Sequence, residues 1–260
     1  MGYPKELKAI TRKLTDNIVI SSTAFSRKDV LNIGARMALF NYNGGVVVWS
    51  ALPYGEVVTD ALNTLGNTKV EYLIVPDKEH TMAVKSFQNV YPNLKVIGME
   101  NINVHADYVV TSKDSDKLIG KAELEGLGIK DSIILDNFEF VYLPYHVNQE
   151  LVMFDKNSQI LFEADLLFNM QDSMEQYSPG TGYSENFYPH SGLSFLTRYM
   201  QPYSKVGNKM TGIVAKPDKN AVGLRQIYDW NFHTIVMCHG NILNKGAKEA
   251  FKNAFSSVIQ

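Results

Sequence analysis

Residues 73–80 read Leu-Ile-Val-Pro-Asp-Lys-Glu-His, an apolar run followed at once by three potential metal ligands. The apolar half predicts a buried strand, because aliphatic and β-branched residues follow one another without a polar break. Pro76 predicts the end of that strand, since proline has no N–H to donate to a sheet ladder. Asp77, Glu79 and His80 therefore fall directly behind a rigid element, where side chains can be held in place for a site.

The same arrangement recurs three times further along the chain. Residues 141–145 lead into His146, residues 160–164 lead into Asp165, and residues 234–238 lead into His239. Strands that each end in a histidine or an acid can deliver those side chains to one sheet edge. Together with the first stretch, they make up the candidate metal ligands: Asp77, Glu79, His80, His146, Asp165 and His239.

The composition is that of an ordinary globular protein, with 45% hydrophobic residues, 20% charged residues and a formal net charge of -2 over 260 residues. It lacks the basic footprint of a nucleic-acid-binding protein. No apolar run approaches the roughly 20 residues that cross a bilayer. The single cysteine, Cys238, excludes an intramolecular disulfide and fits a reducing compartment. We expect one domain over residues 1–260, located in the cytoplasm or also in the nucleus, that acts on a small molecule and binds neither nucleic acid nor membrane.

The rest of the chain alternates predicted strands and helices. Asn43-Gly44-Gly45 predicts a hairpin turn, and Ser132 to Leu143 predicts a second hairpin that turns at Asp136. The polar segment 170–189 predicts an insertion or a lid. Helices are predicted over residues 56–65, 81–90, 114–127, 191–200, 220–230 and 245–256.

The order and the context of these acids and histidines resemble the metallo-β-lactamase superfamily. The first signature of that superfamily, His-x-His-x-Asp-His, falls on residues 75–80. Only His80 keeps the family residue. Val75 stands at the first histidine, Asp77 at the second and Glu79 at the aspartate. The chain is therefore similar to a branch of the superfamily with a degenerate first metal motif.

The later motifs agree more closely with the superfamily. Residues 143–146, Leu-Pro-Tyr-His, match Thr-Pro-Gly-His, and residues 161–165, Leu-Phe-Glu-Ala-Asp, match Leu-Phe-x-Gly-Asp. Residues 238–240, Cys-His-Gly, match the closing Gly-His-Gly. The resemblance implies an α/β fold, the four-layer αβ/βα sandwich in which two mixed sheets are flanked by helices and the site lies at the sheet edges.

The resemblance also implies how ligands would be shared between two metals. One set, a tight site, consists of Glu79, His80, Asp165 and His239. The other is weaker, because Val75 cannot bind a metal and only Asp77, His146 and Asp165 remain. If Val75 faces the site, a histidine there should strengthen the second set. Zinc is the first choice for the divalent metal, and the many carboxylates also admit iron or manganese.

The function that the resemblance implies is metal-dependent hydrolysis. A metal-bound hydroxide would attack an ester, thioester, lactone or phosphoester, and Asp77 or Asp165 would orient it. Two alternatives stay open at this point. One is a non-haem iron redox protein of the same fold, since flavodiiron-type members carry an acid where this chain has Asp77. The other is a non-catalytic ligand-binding or scaffold protein with a vestigial site.

Overall fold

A computed structural model describes residues 2–259. Met1 and Gln260, the two ends of the predicted domain, lie outside the described residues. The first sheet has seven strands in the order β1-β2-β5-β6-β7-β8-β9, and the second has four in the order β10-β11-β12-β13. In this order, the strands of the first sheet are β1 Ala9–Thr15, β2 Ile18–Thr23, β5 Ala35–Tyr42, β6 Gly45–Trp49, β7 Val70–Ile74, β8 Lys95–Met99 and β9 Tyr108–Val110. Those of the second are Phe138–Leu143, Glu150–Asp155, Ile160–Glu163 and Thr234–Met237.

A small hairpin and seven α-helices complete the fold of the described residues. The hairpin pairs β3 (Ser26–Arg27) with β4 (Leu31–Asn32). Helices α1 to α7 are Glu56–Leu65, Val84–Val90, Lys121–Gly126, Ser132–Leu135, Lys205–Ala215, Ala221–Asp229 and Ala247–Ala254. Segments of 3-10 helix cover Ser112–Asp114, Glu175–Tyr177, Pro179–Thr181 and Gly192–Tyr199. No helix within residues 2–259 is both long and apolar enough to span a bilayer.

The two sheets pack face to face, and helices cover their outer faces. Between the sheets, the ring of Phe162 on β12 lies 4.9 Å from that of Phe40 and 5.6 Å from that of Trp49. A second apolar cluster joins the first sheet to α1 and α2, and a third joins the second sheet to α6 and α7. Each fully buried large apolar side chain in these layers stabilises the fold by about 1.5–3 kcal/mol. The predicted four-layer α/β architecture is confirmed.

Local sequence signals explain most of these elements. The Asn43-Gly44 turn joins β5 to β6 as predicted, with both residues at positive φ. Helix α1 ends at Gly66 in the left-handed conformation, also as predicted. The prediction of a strand over residues 132–135 is wrong, because this segment forms α4. A short apolar run such as Ile133-Ile134-Leu135 has no periodicity that separates a buried strand from a buried helical turn.

Other helix predictions need correction in extent or type. The helix predicted over residues 114–127 is confined to α3, preceded by a 3-10 turn and by Asp116 at positive φ. The segment predicted as a helix over residues 191–200 is 3-10 helix. Helix α5 was not predicted at all, because Gly207 and Gly212 weaken its helical signal.

The segment predicted as an insertion or lid packs against the body of the domain. Met170, Met174 and Tyr177 are buried in an apolar cluster of their own. The Gln176 amide donates a hydrogen bond to the Cys238 carbonyl oxygen at 3.0 Å. The segment therefore packs beside the turn that carries His239.

One buried arginine connects the two sheets next to this segment. Arg36 on β5 is fully buried, and its guanidinium donates to the Ser22 hydroxyl and to the Met237 carbonyl at the end of β13. A carboxylate oxygen of Glu175 lies 3.7 Å from the same guanidinium. Burial lowers the pKa of Arg36 to about 10, although Glu175 opposes the shift. Arg36 is therefore still charged at neutral pH.

We expect Arg36→Met to lower the free energy of unfolding by about 2–4 kcal/mol, because it leaves the Met237 carbonyl and the Glu175 carboxylate without their buried partner. Urea denaturation with an unchanged slope measures this loss. Arg12→Met is the control. Arg12 makes a shorter ion pair with Glu175, at 2.7 Å, but is half-exposed, and its loss should cost less than about 1 kcal/mol. Equal losses in the two variants would contradict the assignment.

Candidate metal centre

Three of the candidate ligands converge at one point between the two sheets. His80, Asp165 and His239 each offer one ligand atom, and these atoms lie within 4.8 Å of one another. His239 Nε2 is 3.2 Å from Asp165 Oδ1. The rings of His80 and His239 have centroids 5.2 Å apart. His80 is partly exposed, whereas the other two residues are buried, so the group opens toward solvent on the side of His80.

Strand register explains the meeting of Asp165 and His239. Strands β12 and β13 are parallel neighbours, and their last paired residues are Glu163 and Met237. Asp165 and His239 each follow this pair by two residues, so both side chains emerge at the same end of the sheet. Gly240 has φ of 89°, and a Cβ there would lie 2.6 Å from the Asn169 carbonyl oxygen, so the turn behind His239 requires glycine.

Hydrogen bonds hold both imidazoles in place. His239 Nδ1 donates to the Gly34 carbonyl oxygen at 2.6 Å, which turns Nε2 toward Asp165. His80 Nδ1 lies 2.8 Å from Asp77 Oδ1, which leaves Nε2 available as a ligand. A metal-binding histidine typically has its other ring nitrogen held in this way by a carboxylate or a carbonyl.

Asp77 is fully buried behind His80 and also caps the turn that carries it. Its Oδ1 accepts the backbone N–H groups of Glu79 and His80 at 2.8 and 2.9 Å. Burial alone would lower the pKa of His80, but Asp77 and Cys238 raise it well above the ordinary value. The structure thus places Asp77 in contact with a ligand and outside the group of three donors.

Asp165 is held as an anion by its neighbours. Burial would raise the pKa of Asp165, but His239 and His80 lower it far below the ordinary range. The Asn148 amide donates to Asp165 Oδ2 at 2.6 Å, which fixes the carboxylate plane. A buried carboxylate of this kind needs positive charge close by, which a bound divalent cation would supply.

Two buried glutamates support the backbone at Asp165. Glu150 accepts the N–H groups of Ala164 and Asp165 at 2.5 and 3.2 Å, and Glu163 accepts those of Leu166 and Leu167 at 2.7 and 3.1 Å. Burial raises the pKa of both glutamates well above the usual value. Through these hydrogen bonds the two glutamates fix the backbone on both sides of Asp165.

His146 and Glu79 lie near the group of three without joining it. Burial lowers the pKa of His146, so the ring is neutral; Nδ1 accepts the Asn148 N–H at 3.2 Å, and Nε2 is 3.3 Å from the Asp165 carbonyl oxygen. Both ring nitrogens thus have partners within the protein. Glu79 is exposed and lines the cavity in front of the donors.

Val75 does not face the site. Its side chain is fully buried in the apolar cluster between the first sheet and helices α1 and α2. The condition on which a histidine here was expected to strengthen a second ligand set is therefore not met, because an imidazole at this position would enter an apolar layer. The motif alignment alone could not reveal the direction of this side chain.

Sequence reasoning missed several residues around the donors. Asn148 orients Asp165 but carries no family signal beyond its place two residues after His146. Tyr3 lines the same cavity, far from every motif in sequence, and burial raises its pKa to about 12, with His80 opposing the shift. Tyr3 therefore presents a neutral phenol beside the donors.

The three donors fit a divalent transition metal. Two imidazoles and one carboxylate hold zinc in many hydrolases and hold iron(II) in many oxygenases, with positions left open for water or substrate. His80, Asp165 and His239 provide this set, and Asp77, Gly34 and Asn148 keep it in place.

We expect Asp77→Ala to weaken zinc binding about 10–100-fold, because His80 would lose the group that orients its ring. Competition with a chromophoric zinc chelator measures the affinity. Lys78→Ala, one residue away, is the control and should bind zinc like the parent. A parent-like affinity in Asp77→Ala would show that the contact with His80 does not matter for binding.

Comparison with known proteins shows the fold. No family model matches the sequence, and no curated protein matches it. A metallo-beta-lactamase from Pontibacter korlensis is 12% identical with a TM-score of 0.59, over 96% of this chain and 99% of that one. The mono-zinc form of the metallo-beta-lactamase FIM-1 from Pseudomonas aeruginosa is 9% identical with a TM-score of 0.55, over 97% and 96%. The metal-soaked Flv1 flavodiiron core from Synechocystis is 12% identical with a TM-score of 0.61, over 97% and 61%.

Proposed function

We propose that this chain, which has the metallo-β-lactamase fold, is a metal-dependent hydrolase with one divalent ion on His80, Asp165 and His239. The observation that carries the proposal is that two imidazoles and one carboxylate converge where strands of the two sheets end, beside an open cavity. Solved structures of the same fold include a mono-zinc metallo-beta-lactamase, which is consistent with a single ion.

Each residue around the donors has a separate role in this proposal. When bound, a divalent ion lowers the pKa of a coordinated water towards about 7 and polarises the group under attack. Asp165 keeps its negative charge at the centre and Asn148 fixes its orientation. Asp77 positions His80 from behind and does not reach the cavity lining. The phenol of Tyr3, neutral at physiological pH, can donate a hydrogen bond to negative charge that develops on a substrate oxygen.

The reaction class is hydrolysis of an ester, a thioester, a lactone or a phosphoester. All four place a polarisable oxygen next to the bond that breaks, which is the requirement that a Lewis acid and a hydrogen-bond donor meet together.

A redox role with iron is the second candidate. It rests on the two-histidine, one-carboxylate donor set, which suits iron(II), and on the flavodiiron core among the structures of this fold. Elemental analysis of the purified protein, with its visible absorption spectrum, separates the two candidates. Zinc without a visible band favours hydrolysis, and iron with a band favours redox chemistry.

The test of the hydrolase is a panel of activated esters, thioesters, lactones and phosphoesters. We expect one class to be cleaved by metal-loaded protein, to stop after chelation and to resume when zinc is restored. His239→Ala should abolish the activity. His233 is an exposed histidine six residues earlier, and His233→Ala should retain the activity. Turnover that survives chelation unchanged would contradict the proposal. A chain that binds no metal would favour the non-catalytic alternative.

A further inference from the structure

A cavity of about 340 Å³ opens directly in front of the metal donors. Beyond the donors, most of its lining is apolar, and the side chains that matter here are Phe25, Met82, Val147, Phe168, Met210 and Val214. Sites for small molecules typically have volumes of about 300–1,000 Å³, so this cavity is at the lower end of that range. The cavity therefore suits a small organic molecule.

The apolar lining begins at a metal donor itself. The rings of Phe25 and Phe168 stack on His239, with centroids 6.4 and 6.3 Å away. Tyr3 packs edge-on against Phe25 at 4.9 Å. A substrate group that reaches the donors therefore passes between aromatic walls, where apolar carbon gains from leaving water.

The mouth of the cavity is apolar as well. Met82 and Val147 are 52% and 45% exposed, respectively, although both line the cavity. The Val147 N–H donates to the Val214 carbonyl on α5 at 3.0 Å, which joins the two sides of the mouth. Exposed apolar side chains around a cavity gain energy only when a ligand covers them, so the lining points to an apolar ligand.

Arg27 adds one positive charge to this lining. Arg27 is exposed on the β3–β4 hairpin and is one of the residues that line the cavity. Phe25, two residues before Arg27, lines the same cavity. The other ionisable residues of the lining are Tyr3, Glu79, His80, Asp165 and His239.

We propose that the substrate is an amphiphilic carboxylate. Its hydrolysable group lies at His80, Asp165 and His239, an apolar body fills the cavity, and its carboxylate pairs with Arg27 at the solvent-facing rim. The position of the hydrolysable group rests on the proposed function. The apolar body and the carboxylate rest on the cavity and on Arg27 alone.

Binding of simple amphiphiles tests this assignment without catalysis. The probes are butanoate, hexanoate, octanoate, decanoate and the uncharged decanol, titrated calorimetrically into the full chain, both metal-loaded and chelator-treated. We expect affinity to rise about three- to fourfold with each methylene until the cavity is full. Chelation should leave this dependence intact, because the apolar walls do not need the metal.

Matched variants locate the probe. Met210→Trp, which fills the cavity, should abolish decanoate binding, whereas Ile213→Trp, on the exposed face of the same helix, should not. Arg27→Gln should weaken decanoate binding about tenfold and leave decanol unchanged. Lys28→Gln, on the same hairpin but outside the lining, should alter neither. The Arg27 comparison removes no packed side chain, so it stands even if Met210→Trp fails to fold.

Three results would overturn the substrate assignment. These are an affinity independent of chain length, equal effects of Met210→Trp and Ile213→Trp, and equal effects of Arg27→Gln and Lys28→Gln. Failure of the hydrolase proposal would look different. The protein would then lack metal or turnover, while the chain-length dependence and the effect of Arg27→Gln would persist.

Discussion

We expect Asp165→Asn to lower the affinity for zinc several hundredfold, because Asp165 is the only anion among the three donors. Zinc sites with a complete set of ligands bind with about 10–16 kcal/mol, so one of three or four ligands accounts for roughly 3–4 kcal/mol. Asparagine keeps the shape of the side chain and can still contact Asn148 and His239, but it lacks the charge that the surrounding histidines stabilise. Competition with a chromophoric chelator measures the change.

The comparison with Asp77→Ala makes this prediction specific. Asp77 contacts the proposed ligand His80, so its loss should weaken binding about 10–100-fold, whereas Asp165 is itself a proposed ligand and its loss should weaken binding more. Circular dichroism and thermal unfolding check that both variants are folded before their metal affinities are compared. Equal affinities in Asp165→Asn and Asp77→Ala would show that the roles of the two aspartates are wrongly assigned.

We expect Gly207→Ala to destabilise the protein by about 3 kcal/mol or more and to displace helix α5, which carries Met210 and Val214. A Cβ at position 207 would overlap the Tyr199 carbonyl oxygen and would lie 2.8 Å from the backbone N and O of Gln201. These are backbone atoms, which cannot move aside as a flexible side chain can. Overpacking of this kind typically costs 1–3 kcal/mol and sometimes more.

Helix α5 provides its own control for this prediction. A Cβ at Gly212 would meet nothing within 4 Å, so Gly212→Ala should stabilise the protein by about 0.5–1 kcal/mol through helix propensity. Opposite signs in urea denaturation are therefore expected for two identical substitutions five residues apart. The affinity for decanoate should fall in Gly207→Ala and stay unchanged in Gly212→Ala. Stabilisation by both substitutions would contradict the packing of α5 against residues 199–201.

The fold could be predicted from the sequence because strand ends carry strong local signals. Pro76 and Gly66 mark the ends of elements, and the apolar runs before Asp165 and His239 have the length of buried strands. Their order along the chain then suggested the architecture. Two helices could not be predicted, the short segment Ser132–Leu135 and the glycine-containing α5. Their helical structure depends on tertiary packing and not on local propensity.

The site was predictable only as a set of candidates. His80, Asp165 and His239 come together because three strand ends meet, which the pattern of strand and ligand indicated. The direction of Val75 and the hydrogen bonds of His146 depend on packing between distant segments. The partners that hold the donors, Gly34 and Asn148, have no signal of their own in the sequence, since a carbonyl and an amide become significant only once the chain has folded.

X-ray absorption spectroscopy of zinc-loaded protein tests the central claim most directly, because it counts the atoms around the metal. For protein in which elemental analysis finds about one zinc per chain, the ligand set of His80, Asp165 and His239 predicts two imidazoles, with oxygen in the remaining positions and no sulfur. A site with three imidazoles would place His146 on the metal, and a sulfur ligand would place Cys238 there. Either result, or protein that takes up no zinc at all, would contradict this account.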